Sequence, residues 1–408
     1  MYDIIIIGAG ASGLMAAIQS SRQGKKVLLI EKMSQAGRKL RISGKGRCNL
    51  TNTLPLKDFL KHCGSEPRFL YPAFTKFFSK ELMSFFEGLG VELVEERGGR
   101  IYPRSGKAQD IFLAMINELE DSDCQIIKNT RVTKLLVKNQ EIVGVRTESG
   151  KEYLSNKVIL AAGGESYPAT GSEGDGIILA QEAGHNIIPT LPALVGLVVD
   201  YSFPNAIVDF GVKNAKATIT NQNDKKICEE FGELNFAEDG VYGPIILTIS
   251  RIIASTLASG EKLNLILDFK PAIDEKQLDE NIIRELNLRG KEDLKSVLRA
   301  FIPQNMITFA LTKANLNGFK QASLVSAQER KQLLNFLKNC KFQIVGDFGF
   351  EEAIITQGGV DLKEINPKTL ESKLIKGLFF AGEVMDLDAD TGGFNLQIAF
   401  STGYLAAH

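Results

Sequence analysis

Four consecutive isoleucines, Ile4 to Ile7, open the chain after a short polar start. An apolar run with no alternation reads as a strand buried on both faces, the habit of parallel sheets. Glycines follow at 8, 10 and 13, then a helical stretch from Ala11 to Gln23, then Gly24. A second apolar run, "KVLLIE", ends at Glu31. Strand, glycine turn, helix and strand fill about 30 residues, the length of one βαβ unit. Further on, residues 131–164 alternate apolar and polar positions with turn signals at Asn139-Gln140 and Ser149-Gly150, which predicts a small antiparallel meander. The meander runs into another buried strand, "KVILAAGG", and glycines then lead into a helix in "TGSEGDGIILAQEAGH".

From about 191 to 345 the pattern changes. Short strands at 194–199, 216–220 and 263–269 border a helical stretch over about 273–338, rich in Lys, Glu and Leu. Near the C-terminus the first style returns. A buried strand in "KGLFFAGE" is followed by a loop with Gly392 and Gly393, and a helix runs from about Leu396 to the end, with Asn395 as its expected N-cap. The predicted organisation is α/β, with one domain built from residues 1–190 and 346–408 and a second, part β and part helical, inserted over 191–345.

The glycine turn changes this from a fold to a chemistry. Gly8 permits a tight turn, Gly10 lets a pyrophosphate approach the backbone, and Gly13 lets helix and strand pack closely. The helix N-terminus offers free N–H groups to the phosphates. Glu31 ends the second strand, where a carboxylate accepts from an adenosine ribose and disfavours a 2′-phosphate. A dinucleotide cofactor is expected there. The C-terminal helix start is suited to the negative charge that a reduced flavin gains.

Composition narrows the class. The 408 residues carry a net charge of −1, with 24% charged and 44% hydrophobic residues, as in ordinary soluble proteins. No basic surplus marks a dedicated nucleic-acid binder. Apolar runs such as "LPALVGLVV" fall short of a bilayer span, and "MYDIIIIG" is no signal peptide, so a cytoplasmic protein without membrane attachment is expected. Five scattered cysteines form no CxxC, and three histidines share no spacing with carboxylates or cysteines, so neither a disulfide framework nor a metal site is expected. One local excess stands out: Arg38, Lys39, Arg41, Lys45 and Arg47 lie together, with no acid between Glu31 and Asp58.

Longer motifs carry a resemblance. "AGRKLRISGKGRCNLTN", "YPATGSEGDG", "TQGGVDLKEINPKTLESK" and "GLFFAGEVMDLDADTGGFNLQIAFSTG" resemble the signatures of the YhiN-like bacterial family of FAD-dependent oxidoreductases, which includes aminoacetone oxidase and a bile-acid 4,6-reductase. The resemblance spans almost the whole chain. It implies an FAD flavoprotein of the two-dinucleotide-binding-domain type, a Rossmann-like domain made from both chain ends with an inserted β-barrel and helical region. For the cofactor it implies Gly8, Gly10, Ala11, Ser12 and Gly13 at the pyrophosphate, and Glu31 and Lys32 at the adenosine ribose. Arg38, Lys39 and Gly44 would line the phosphates and flavin edge, Val132 the adenine, and Gly163 the ribose. Gly382 and Glu383 would take the ribityl chain, and Asn395, Leu396 and Gln397 the flavin ring.

The chain departs from the family where Ala162 replaces a threonine, Glu383 an aspartate, Ala237-Glu238 a Thr-His pair, and Tyr242 a serine. No catalytic residue is assigned by these motifs; Tyr167 and Tyr242 are candidate proton donors. The implied activity is hydride transfer through flavin N5, with NADH or NADPH as a transient reductant and a small organic acceptor. An oxygen-using amine oxidase of the aminoacetone type is the alternative within the class. An RNA-associated or RNA-modifying flavoprotein is the alternative outside it, against which the near-neutral charge weighs. A flavoprotein kept for a structural role is a third reading. The motifs leave substrate and oligomeric state open.

Overall fold

The computed structural model describes residues 1–64 and 66–408. The chain divides into two compact units, Met1–Pro192 with Phe350–His408, and Ala193–Gly349.

The first unit is a Rossmann-type layer. Its five parallel strands run in the order Leu378–Phe380, Val158–Leu160, Ile4–Ile7, Val27–Ile30, Cys124–Ile127. The isoleucine strand is central and buried throughout, with Ile5 opposite both Val158 and Leu28. Residues from both ends of the chain therefore meet in one sheet. The helix Ala11–Arg22 leaves the first strand and packs on the terminal helix, Phe394–Ala407. The two backbones approach so closely that a Cβ on Gly403 would overlap the carbonyl of Ser12. The antiparallel meander consists of Val132–Lys138, Glu141–Thr147 and Glu152–Leu154, and its first turn uses Asn139 and Gln140 at φ 52° and 62°. The segment "TQGGV", which reads as a tight loop from its glycines, is instead part of the strand Ile355–Val360.

The second unit is built on a closed six-stranded barrel. Around it run Leu197–Val199, Gly240–Tyr242, Lys226–Phe236, Gly211–Asn221, Leu263–Asp268 and Cys340–Asp347. Leu263, Leu265 and Leu267 alternate inward, as do Phe342 and Ile344, and Phe203, Phe236 and Phe309 join them in an aromatic core. The helical stretch resolves into Glu275–Leu288, Leu294–Val297, Ile307–Lys313 and Ala327–Asn339 with short turns between. Asp274 caps the first of these by accepting from the Gln277 N–H at 2.8 Å, and Ser326 with Glu329 forms a capping box on the last. The sequence reading did not anticipate the strands Lys226–Phe236 and Cys340–Asp347 or the helix Pro244–Ala258. Among the described residues no helix is long and apolar enough to cross a membrane.

Candidate cofactor site

A cavity of about 590 Å³ opens over the C-terminal ends of the central strands. Its floor is the glycine turn. Gly8 adopts φ 97°, and a Cβ there would come within 2.5 Å of the Ala161 carbonyl, so the turn passes hard against the neighbouring strand. Gly13 is closer still: its Cβ would overlap the Gly8 carbonyl oxygen. Gly10 differs, because nothing lies within 4 Å of where its Cβ would be. Its open side faces the cavity, and a side chain there would fill the cradle. The helix beginning at Ala11 has no side-chain cap and no acid in its first turn. Its first N–H groups lack intrahelical acceptors and point their partial charge at the same space. Glu31 anchors the rim by accepting from the Ala9 N–H at 2.9 Å and the Met33 N–H at 2.8 Å.

Charged groups ring the cavity in two clusters. Lys32 pairs with Glu173 at 2.7 Å and Asp175 at 2.8 Å, and Arg131 also pairs with Asp175. The second cluster centres on Glu383. Its carboxylate accepts from Lys39 Nζ at 2.8 Å, Ser166 Oγ at 2.7 Å and the Thr356 N–H at 2.7 Å. Burial by itself pushes the Glu383 carboxyl up; the Lys39 charge and the three hydrogen bonds outweigh it and hold the group below the usual glutamate value. Lys39 thus meets a carboxylate of its own chain while it lines the cavity. Thr356 closes the cluster: its Oγ1 accepts from the N–H groups of Glu165 and Ser166.

The basic segment is sorted by geometry. Arg41 bonds Gln109 and Gln35 and lies over Phe112, and Arg47 pairs with Glu96 over Tyr102. Arg38 and Lys45 line the cavity instead. Cys48 is fully buried beside them, and burial pushes its thiol up to about 12, away from the thiolate form. Asn52 donates to the carbonyls of Gly98 and Gly392, and the correctly oriented Asn49 amide accepts from the Gly393 N–H at 3.0 Å. These two asparagines fasten the basic segment to the loop before the terminal helix.

At that helix two expectations change. The N-cap is Gly393, at φ 96°, where a side chain would strike the Thr51 carbonyl. Asn395 lies inside the first turn and bonds the backbone of Ala389 and Asp390. Gln397 does not face the cavity. Its side chain is buried and bonds Thr51 Oγ1 at 2.6 Å and Ser401 Oγ at 2.8 Å.

Of the residues singled out from the motifs, Gly8, Gly10, Ala11, Ser12, Glu31, Lys32, Arg38 and Lys39 line the cavity. So do Gly44, Val132, Gly163, Glu383, Asn395 and Leu396, whereas Gly13, Gly382 and Gln397 lie behind its wall. Sequence reasoning missed Arg131 and Asp175, although Arg131 directly precedes Val132 and Asp175 lies in the quoted "GSEGDG". Tyr167 also lines the cavity, while Tyr242, in the other unit, donates to Asp209 at 2.8 Å. Asp386, Asp388 and Asp390 are not the solvated acidic turn that their alternation suggests. Asp388 is buried, Asp386 accepts from the Gly358 N–H, and Asp390 pairs with His62. His185 is buried between Glu364 and Ser372.

The cradle at Gly10, the uncapped helix start, Glu31 on the rim and the cavity above them fit FAD. Known proteins agree. The family profile described as HI0933-like protein Rossmann domain matches residues 2–408. A 3-dehydro-bile acid delta(4,6)-reductase from Clostridium scindens is 32% identical over 100% of this chain and 98% of its own. A ribosomal RNA dihydrouridine synthase from Escherichia coli is 28% identical over 100% of this chain and 97% of its own. In fold, the chain is similar to a 3-ketosteroid delta1-dehydrogenase from Sterolibacterium denitrificans, with a TM-score of 0.51 and 13% identity over 100% of this chain and 98% of that one.

Proposed function

For a chain that belongs to the HI0933-like Rossmann family, and so to the FAD-dependent oxidoreductases, we propose reduction of a carbon–carbon double bond conjugated to a carbonyl, with NADH or NADPH as the transient reductant. The observation that carries the reading is one cavity lined both by a dinucleotide cradle and by the start of the terminal helix. Only one GxGxxG occurs in the chain, so a nicotinamide would visit the flavin rather than occupy a fold of its own. The full-length relatives are named for two different reactions, yet an unsaturated 3-dehydro bile acid and a uridine are both conjugated carbonyl compounds that take up hydrogen.

Bound FAD would supply the hydride at N5. The chain supplies the rest. Gly10 and the first turn after Ala11 hold the pyrophosphate, Glu31 the ribose, and Glu383 the ribityl chain through the oxygen that bears only Lys39. The first turn of the terminal helix, with Asn395 and Leu396 on the wall, stabilises negative charge on the reduced ring. Tyr167, a phenol that lines the same cavity, serves as proton donor to the second carbon.

Anaerobic mixing of the purified holoprotein with NADH or NADPH tests the proposal. Bleaching of the oxidised flavin band is expected. No bleaching with either removes it, and bleaching by aminoacetone alone supports the amine-oxidase reading instead. A second reading, with uridine in RNA as acceptor, is favoured by two full-length relatives named ribosomal RNA dihydrouridine synthase. The net charge of −1 weighs against it, and binding to ribosomal RNA that weakens with salt is its test.

A further inference from the structure

Three of the five cations in the basic segment are engaged by the protein itself: Lys39 by Glu383, Arg41 by Gln35 and Gln109, Arg47 by Glu96. Arg38 follows Gly37, whose N–H donates to the Ala9 carbonyl at 2.8 Å, so it sits beside the phosphate turn. Lys45 is left. It lines the same cavity and is exposed, and its ammonium group has no hydrogen bond or ion pair among the described residues. Its backbone is also unusual. Lys45 holds φ 58° and ψ 40°, between Gly44 at φ 57° and Gly46 at φ 80°. A third glycine would be the cheaper residue in such a run, because a Cβ crowds its own carbonyl there. An ammonium group kept at that position despite its backbone cost is a candidate for function.

The lining of the same cavity has a matching character. Ile42 is 46% exposed, Ile354 42% and Tyr167 36%, yet all three line this cavity. Tyr167 too has a left-handed backbone, φ 56°, and its N–H is bonded to the Phe350 carbonyl. Large apolar groups left bare around a cavity mark a ligand surface rather than a core. Glu352 also lines the cavity.

Resting on the flavin reading above, we propose that Lys45 with Ile42, Tyr167 and Ile354 forms the acceptor subsite, and that it takes a flat apolar molecule bearing one anionic group, a carboxylate or its equivalent. Lys45 meets the anion, and the apolar side chains hold the body against the flavin. A nicotinamide dinucleotide fits this subsite less well, since with Arg38 beside the phosphate turn its two phosphates would meet Lys45 alone among the described cations of the segment, and Glu352 lines the same cavity.

The test uses oxidised holoprotein and two probes of one shape, 2-naphthoate and neutral 2-naphthamide, with binding read from the perturbed flavin spectrum. Wild type should bind the naphthoate more tightly, by roughly fivefold to tenfold, as one charge-assisted contact at a partly exposed site allows. Lys45→Gly removes the charge and relieves the backbone; its flavin content reports that the loop still folds, and the preference should vanish. Lys45→Arg should keep the preference, and Arg47→Gln should leave it at the wild-type ratio. A naphthoate that leaves the flavin spectrum unmoved, or a preference that survives in Lys45→Gly, overturns the subsite. Protein that binds no flavin at all overturns the cofactor reading, and the subsite falls with it.

Discussion

The same small substitution at two positions of one glycine motif should have opposite consequences. Gly10 has an extended backbone, φ −81° and ψ −170°, and open space where a Cβ would lie. Gly10→Ala therefore strains nothing in the apoprotein, and by restricting the unfolded chain it should leave stability equal or raise it by about 0.4–1 kcal/mol. The new methyl instead occupies space reserved for a phosphate. Overpacking of that kind costs about 1–3 kcal/mol, which weakens FAD binding by roughly fivefold to 150-fold. At Gly13 the added Cβ would overlap the Gly8 carbonyl oxygen and sit 3.1 Å from its carbon and 3.4 Å from the Ala161 Cβ. Those neighbours are backbone and sheet, so they cannot swing aside. Gly13→Ala should cost about 3 kcal/mol or more, near 6–12 °C in Tm for a unit of roughly 250 residues. Thermal unfolding of the apoproteins and fluorescence titration with FAD measure both quantities. A folded Gly10→Ala protein that binds FAD as tightly as wild type would refute the placement of the pyrophosphate over this turn. A Gly13→Ala protein as stable as wild type would refute the close packing beneath it.

Two further outcomes follow from the polar networks. In wild type the depressed Glu383 carboxyl contributes stability that is present above its unfolded value and lost only as pH falls through the folded one. Lys39→Met leaves burial opposed by Ser166 and Thr356 alone, so the carboxyl rises above the ordinary value and the variant gains stability on acidification. The Tm deficit, about 4–8 °C near pH 7 for a loss of about 2 kcal/mol, should shrink toward about pH 5, with Lys39→Arg close to wild type; a deficit that does not change with pH would sink the argument. Gln397→Leu should cost about 1–3 kcal/mol through stranded Thr51 and Ser401 hydroxyls, while FAD affinity and flavin potential stay within experimental error. A shifted potential at unchanged Tm would return Gln397 to the flavin.

What the sequence disclosed about the fold depended on how each strand is buried. Ile4–Ile7 and Val158–Leu160 are covered on both faces, so they read as unbroken apolar runs. The barrel strand Lys226–Phe236 is buried only at Leu234 and Phe236, and "KICEEFGEL" places Glu230 and Gly232 at inward positions where apolar residues would signal a strand. Cys340–Asp347 fails for another reason. It begins at the residue that caps the helix Ala327–Asn339, with no glycine, proline or loop to mark the change. Its alternation is present, Cys340, Phe342 and Ile344 inward, but a helical reading carried to 338 hides it.

The site shows the same division between local and distant information. Glycine roles are local, since a backbone that must turn or approach admits no other residue. The pairing of Lys39 with Glu383 is not local: the two lie 344 positions apart, and nothing in either motif reveals that each is the other's counter-ion. The misplacement of Gln397 is different, because periodicity could have prevented it. At about 100° per residue, 395, 396, 398 and 399 sweep one arc of a helix and 397 falls opposite. Those four line the cavity, and Gln397 is buried behind it. A motif names consecutive residues, but a helix presents only those on one side. The five cations obey a similar rule. Their crowding in sequence suggests one electrostatic task, whereas the fold turns Arg41 and Arg47 onto side chains of the surrounding scaffold, gives Lys39 to Glu383, and leaves only Arg38 and Lys45 open to the cavity. Charge that looks collective along the chain is thus divided in space, and the residues left without a partner are the ones from which ligand chemistry should be read.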